Sequence, residues 1–369
     1  MSNLDRPAFS RASLAMKFIL AAGALIVAAA APAAAQVETY PPLDTSYVIY
    51  DQGPFNLAFG VGLRIPSYNR VDGLAIGWGP DMRLAGGRST FSNDTWIKSE
   101  IMNSLSALGV GSDARNYFRA DRGEVGIFHR IVSPATTLIP SIGILHEFAW
   151  STGRAEPHTS APWSLFGAKG DLKMRRTNPA VIRGHTTSGL AGLGLEYELQ
   201  DTKAGAAARI EHAFDAPRVP GADSEGFTQY TVDAKAKFLT FGLQTFTFKG
   251  HAVFTGGDAP PQRYAYLGGS STLSTVDLLA LGGDRLLFVE GEYHYPLAGP
   301  LVPFVGAPVV SLRYAAGSAG VNDLPDFIQN ISAGVSLKVI KFEYHLDPSY
   351  REAPYRDKSA FSVSLALPF

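Results

Sequence analysis

The 369-residue chain carries 33 acidic and 32 basic side chains and no cysteine. The charge balance argues against nucleic acid or another polyanion as partner, and the missing thiols exclude disulfides, thiolate catalysis, thiolate metal sites and an N-terminal lipoprotein anchor. Charged residues make up 18%, below the roughly one quarter usual in soluble domains; 38 glycines and 22 phenylalanines suit a lipid-facing barrel or a soluble all-β protein alike.

Arg6, Arg11 and Lys17 precede an apolar run, Phe18 to Ala30, and Ala33, Ala34 and Ala35 supply small residues before Gln36. This pattern predicts a cleaved secretory signal peptide over residues 1–35, with Met16 as an alternative start. A membrane anchor is the competing reading, but the core is short and built of alanine, and no later run is long and apolar enough to span as a helix. Residues 36–69 read as a periplasmic lead-in, a plug, or an extra hairpin at Phe55–Leu63.

The barrel is expected over residues 70–369. Arg70–Pro80 reads as its first strand, with Leu74, Ile76 and Trp78 on one face. Asp94 then offers an N-cap, and Ile97, Ile101, Leu105 and Leu108 recur at helical spacing. They predict a short amphipathic helix, Asp94 to Leu108, inside a long outer loop; another strand is the alternative. Strands follow at Glu124–Ile131 and Thr137–Phe148, around a turn at Ser133–Ala135. A polar stretch, Ser151–Thr187, carries Lys173, Arg175, Arg176 and Arg183, either as a solvated loop or as one that meets anionic lipopolysaccharide.

Beyond it, apolar and polar residues alternate regularly. Leu193, Leu195 and Tyr197 oppose Glu196 and Glu198; Val232, Ala234 and Phe238 oppose Asp233, Lys235 and Lys237. Strands are predicted at Ala191–Leu199, Ala206–Phe214, Tyr230–Phe238 and Phe246–Phe254, then at Leu286–Tyr295, Val302–Tyr314, Ile331–Val339, Lys341–Asp347 and Ala360–Phe369. Period-two alternation of this kind marks strands with one apolar face. In the last strand Phe361, Val363, Leu365, Leu367 and Phe369 share the apolar face.

Connections alternate between short and long, and with the C-terminus in the periplasm every short turn falls on the periplasmic side, as in outer-membrane barrels. The expected fold is therefore an all-β, transmembrane antiparallel outer-membrane β-barrel of about 12 strands, with 14 or 16 if further hairpins lie hidden. The same alternation places Glu290, Glu292, His294 and Arg313, among others of both signs, on the lumen face. Such an interior fits a polar pore or small-ligand site, or a wall stitched together by ion pairs.

From Tyr266 onward the chain resembles the bacterial surface antigen superfamily, the barrels of outer-membrane assembly factors and two-partner secretion transporters. The likeness rests on Tyr266-Leu267-Gly268-Gly269-Ser270-Ser271-Thr272-Leu273, on Gly282-Gly283-Asp284-Arg285, on Glu292 to Leu297, and on four further strands ending at Phe369. It implies that the glycine-rich stretch, with Gly268, Gly269, Gly282, Gly283 and Asp284, is a loop folded back into the lumen, and that Phe369 is a signal read by the barrel-assembly machinery. The family's Arg-Gly-aromatic loop tip is replaced by Ser274, Thr275 and Val276, and its acidic partner is missing from Phe304–Pro308. No room for the family's periplasmic docking repeats precedes Arg70.

The expected role is a pore or a surface structural protein rather than an enzyme. Two alternatives stay open. One is an assembly or secretion factor of the same superfamily. The other is a barrel hydrolase using same-face pairs such as His345 with Asp347 or Glu292 with His294. A soluble secreted β-sandwich would instead bury its apolar strand faces. No metal or organic cofactor is implied; the expected partners are outer-membrane lipids, lipopolysaccharide and, during biogenesis, the assembly machinery.

Overall fold

The computed structural model describes residues 61–63, 67–69, 73–75, 78–80, 84–110, 112–129, 131–152, 178–222, 226–297, 307–337 and 340–365. Residues 1–35, expected as a signal peptide, most of the expected lead-in (residues 36–69) and Phe369 lie outside these residues. Twelve strands form one antiparallel wall: β1 (Leu84–Phe91), β2 (Phe118–Phe128), β3 (Thr136–Trp150), β4 (Gly184–Leu199), β5 (Thr202–Asp215), β6 (Phe227–Leu239), β7 (Thr245–Gly257), β8 (Arg285–Pro296), β9 (Val309–Gly320), β10 (Ile328–Leu337), β11 (Ile340–Leu346) and β12 (Ser359–Leu365). Neighbours in the wall are neighbours in the chain, and a two-residue piece, Ile131–Val132, pairs with β3 after a break in β2.

The side-chain pattern sets the polarity of the wall. On one face Val125 lies opposite Ile144, Ile127 opposite Ile142, Leu312 opposite Ala333, and Phe342 opposite Val363. These large apolar residues are exposed: Ile127 by 68%, Ile144 by 61% and Leu312 by 60%. The other face buries Glu147, Glu211, Gln229, His251, Arg313, Asn330 and His345. A water-soluble protein has the opposite distribution; a wall standing in hydrocarbon has this one.

The polar face is an inside. Arg263, from the β7–β8 connection, reaches Glu147 on β3 and Glu211 on β5. Thr275 of the same connection bonds Asn330 on β10. Trp96, from the β1–β2 connection, stacks on His251 of β7. Strands from β3 to β10 thus share one interior, and the sheet is curled into a barrel.

Several sequence expectations change. Arg70–Pro80 is not the first wall strand: Gly73–Ala75 pairs with Ser67–Asn69 and Trp78–Pro80 with Val61–Leu63, each outside the main sheet. Gly73, Gly77, Gly79 and Pro80 weaken that stretch as a continuous strand. The wall begins at Leu84 instead, where Gly86, Gly87, Arg88, Ser89 and Thr90 leave no apolar alternation to read. The helix is α1 (Glu100–Val110), preceded by a 3-10 turn at Asp94–Trp96. Most other strands extend further toward the long connections than their alternation suggested, β4 starting at Gly184 and β7 ending at Gly257. The β9 strand is described from Val309 to Gly320, and the part of the expected strand from Val302 to Gly306 lies outside the described residues.

Because Ile144 and Leu312 face outward, replacing either with arginine should lower unfolding stability in lipid vesicles by about 2–4 kcal/mol if it lies near the bilayer midplane. Denaturant titration of the reconstituted protein measures this; a protein that met water on this face would tolerate both changes.

Candidate functional site

The interior is filled from the end where the long connections lie. The β7–β8 connection (residues 258–284) enters through a 3-10 turn, Pro261–Arg263, for which Pro260 and Pro261 pre-set the backbone. Gln262 clamps Ile182, donating from Nε2 to its carbonyl at 3.0 Å and accepting from its N–H at 3.1 Å. Next to it, Arg263 donates to Glu147 at 2.9 Å and to Glu211 at 3.2 Å. Ser188 on the strand between them donates to Glu211 at 3.0 Å. Burial works against the charge on Arg263, but the two carboxylates outweigh it and hold the guanidinium pKa above its usual value. A cation so enclosed is stable only with its anions in place.

Deeper along the same connection, Ala265–Leu267 and Leu281–Gly283 form a small hairpin. Gly268 has φ +125°, open to glycine but strained for other residues, and a Cβ there would overlap the Asp277 carbonyl oxygen. At Gly283 a Cβ would overlap the backbone of Gly320 on β9, so this glycine is set by close approach. The loop tip, residues 272–277, is held from two sides. From the wall, Arg313 donates to the Thr272 carbonyl at 2.7 Å and to Glu290 at 2.5 Å. Asn330 donates to the Thr275 hydroxyl at 2.7 Å. From the β11–β12 connection, the Asp357 N–H donates to the Thr275 carbonyl at 2.8 Å, and the Asp277 N–H donates to the Tyr355 carbonyl at 2.9 Å. That connection is fixed by Arg356 on Asp347 at 2.7 Å.

The β1–β2 connection is the second insert. Trp96 stacks on His251 with centroids 4.1 Å apart and planes at 8°, and Lys249 donates to the Ile97 carbonyl at 3.2 Å. Both partners point inward from β7. The expected amphipathic stripe is reversed in part: Leu105 is exposed, while Asn103, Ser104 and Ser106 are buried. Asn103 explains this by donating to Asp113 at 2.9 Å and accepting from the Ala114 N–H at 2.9 Å. The helix thus belongs to an inserted segment whose contacts are largely polar. Where the two inserts meet, an apolar core forms inside the barrel, with Trp96, Leu267, Leu273, Leu286 and Phe288 among its members.

The residues singled out by sequence fall as follows. Gly268, Gly269, Gly282 and Gly283 shape the inserted hairpin, and Asp284 is buried at its base, accepting from the Asn322 N–H at 2.7 Å. Burial raises the Asp284 pKa above the usual carboxylate value, with the Asn322 N–H opposing. Glu290, Glu292, His294 and Arg313 line the interior. Glu292 takes Lys341 at 2.5 Å and lies 3.7 Å from His294. His345 does not pair with Asp347; it lies between Ser332 at 2.6 Å and Ser362 at 2.8 Å. Sequence reasoning missed Arg263, Glu147 and Glu211. The available signal was that Arg263 is the one arginine in the glycine-rich stretch and that both glutamates fall at inward positions near strand ends.

No protein-family model matches the sequence, and no curated protein matches it. Several solved structures are similar to it at a distance. CdiB from Escherichia coli has a TM-score of 0.48 at 12% identity, over 69% of this chain and 46% of that one. CdiB from Acinetobacter baumannii has a TM-score of 0.45 at 10% identity, over 84% and 65%. BamA from Haemophilus ducreyi, lacking POTRA domains 1–3, has a TM-score of 0.43 at 10% identity, over 85% and 76%. This chain spans less than two thirds of either CdiB chain. Likeness at this level assigns neither a family nor a role.

Removing the wall's grip on the loop tip should be costly in one direction only. Arg313→Ala leaves the half-buried Glu290 without this cation and the Thr272 carbonyl without its donor and should destabilise by about 2 kcal/mol, whereas Arg313→Met with Glu290→Leu should recover most of the loss; unfolding midpoints of the three proteins decide. Asp284 gives a pH test. Its raised pKa means folding loses stability as pH rises from the unfolded value of about 3.9 through the folded one. Asp284→Asn keeps the oxygen that accepts from Asn322, so it should raise the denaturation midpoint at pH 7 and leave it unchanged near pH 2.

Proposed function

We propose that the chain is an exported outer-membrane β-barrel of surface-antigen type whose lumen is shut at rest by its own long connections. The observation that carries this reading is the inverted polarity of the wall, with large apolar side chains exposed outside and paired charges within. In this orientation the long connections face the cell exterior and the short turns the periplasm. Barrel-assembly machinery would insert the protein, and outer-membrane lipids would surround it.

The two inserts favour a closed pore or a surface structural role over open diffusion. They bring an apolar core and the Arg263 cluster, and take the wall's Arg313 at the loop tip, within the space a permeant solute would need. Neither histidine–carboxylate pair suggested by sequence supports hydrolysis: His345 is fully buried between serines, and Glu292 is committed to Lys341. We read no catalytic role into this interior.

Planar-bilayer recording of the reconstituted protein tests the reading. The parent should show little steady conductance, and a variant lacking residues 266–281 should conduct steadily. Silence from both proteins would favour the structural role, while steady conductance from the parent would refute closure.

A further inference from the structure

One sector of the outer surface differs from the rest at the long-connection end. Lower on the same strands, Ile142, Ile144, Leu193 and Ile210 are exposed and apolar. Further along, three successive strands present His146, His185 and His212, all exposed. Two are tethered in the same way: His146 Nδ1 lies 3.0 Å from the Thr187 hydroxyl and His212 Nδ1 lies 2.8 Å from the Thr228 hydroxyl, each on the next strand. With the hydroxyl donating to Nδ1, the ring proton is on Nε2, which stays available as a donor; ring protonation preserves that donor. On the strand between them His146 is level with Thr187 and His212 with Gly189, and His185 stands further out, level with Phe148, 5.5 Å from His146 and 4.6 Å from Phe148 by ring centroids. The Arg183 guanidinium covers the Phe148 ring at 5.4 Å.

The surroundings make this a graded surface. At the outer ends of β9–β12 the outward positions Tyr314, Gln329, Leu346 and Phe361 carry no cation; the exposed cations there are in the β11–β12 connection, Lys358 and Arg351, the latter paired with Asp326. Around the histidines, Asp121 and Asp215 are the nearby acids among the described residues, and Arg119 adds a cation beside Trp150. Neighbouring strands are about 4.8 Å apart and the two histidines are two residues out of level, so His146 and His212 are about 12 Å apart, with the Thr187 hydroxyl between them and the His185 and Phe148 rings on their outer side. A ligand that fits must lay acyl chains on the apolar band, place sugar rings against the aromatics, and offer anionic oxygens to the histidines and Arg183.

We propose that this sector of β3–β5 is a seat for the phosphorylated headgroup of a glycolipid, the lipopolysaccharide of the outer leaflet. The inference rests on the outer-membrane reading above, with the long connections outside. A protein partner would not require the donors to stand directly above an apolar band.

The test uses the full mature chain in detergent, with lipid binding followed by native mass spectrometry. Purified lipopolysaccharide, phosphatidylglycerol and inorganic phosphate serve as separate probes. The expected result is one retained lipopolysaccharide, no retained phosphate, and retention about tenfold weaker in a His146→Ala, His212→Ala, Arg183→Ala variant. Thr187→Val with Thr228→Val removes only the tethers and should weaken retention by less. Equal retention by parent and triple variant, or phosphatidylglycerol held as tightly as lipopolysaccharide, would overturn the proposal. A parent that remains monomeric in plain buffer would overturn the outer-membrane reading itself, and this seat with it. If the triple variant fails to refold, the single His212→Ala variant carries the comparison.

Discussion

A wall that turns its apolar side outward leaves its charges facing one another across a confined interior, where they must be neutralised. That constraint governs most of what the chain does between its strands. Water cannot serve every group in the filled half of the barrel, so each cation there needs an anion or a carbonyl within reach. Arg263 finds Glu147 and Glu211, and Arg313 finds Glu290 and the Thr272 carbonyl; toward the short-turn end, Lys341 finds Glu292 and Glu343. The inserts are held by the partners this chemistry demands.

Filling also changes what counts as a core. Within the barrel, Phe288, Leu286 and Val253 point inward at the same parity as Glu290, Glu292 and Lys249. The inner face is therefore apolar where the inserts press against it and polar where they do not. Gly283 and Gly317 let the inserted hairpin come close to the wall, and Leu267 contacts the Gly317 position directly. Polar clamps set the location of the inserts, and the apolar contacts between them exclude water from the space they enclose.

How much of this was legible depended on the kind of signal. Alternation located eleven of the twelve wall strands, because apolar side chains, alanine among them, recur at every second position through much of β2–β12. The β1 strand was missed because Gly86–Gly87 and the polar run after it hide its faces. The helix was visible in Ile97, Leu105 and Leu108, but its burial was not. Helical periodicity assumes an apolar core, and here the packed side includes Asn103, Ser104 and Ser106. The inserted loop was expected only through the resemblance that its glycines help to carry, and its anchors were not expected at all, since Arg263 and Glu147 are separated by 116 residues and no local pattern links them. That the wall's Arg313 holds the loop tip follows only from the register of β8 and β9.

The anchors are also far apart in the order of synthesis. Arg263 meets a partner 116 residues upstream, and Lys249 one 152 residues upstream, while the tip waits for β10 and the segment before β12. Neither insert can reach its final position until most of the cylinder has been stitched together. Contacts of such long range form late, after the loops joining them have already lost much of their freedom. Maturation therefore has a direction: a hollow, water-filled shell comes first, and its stopper is seated last.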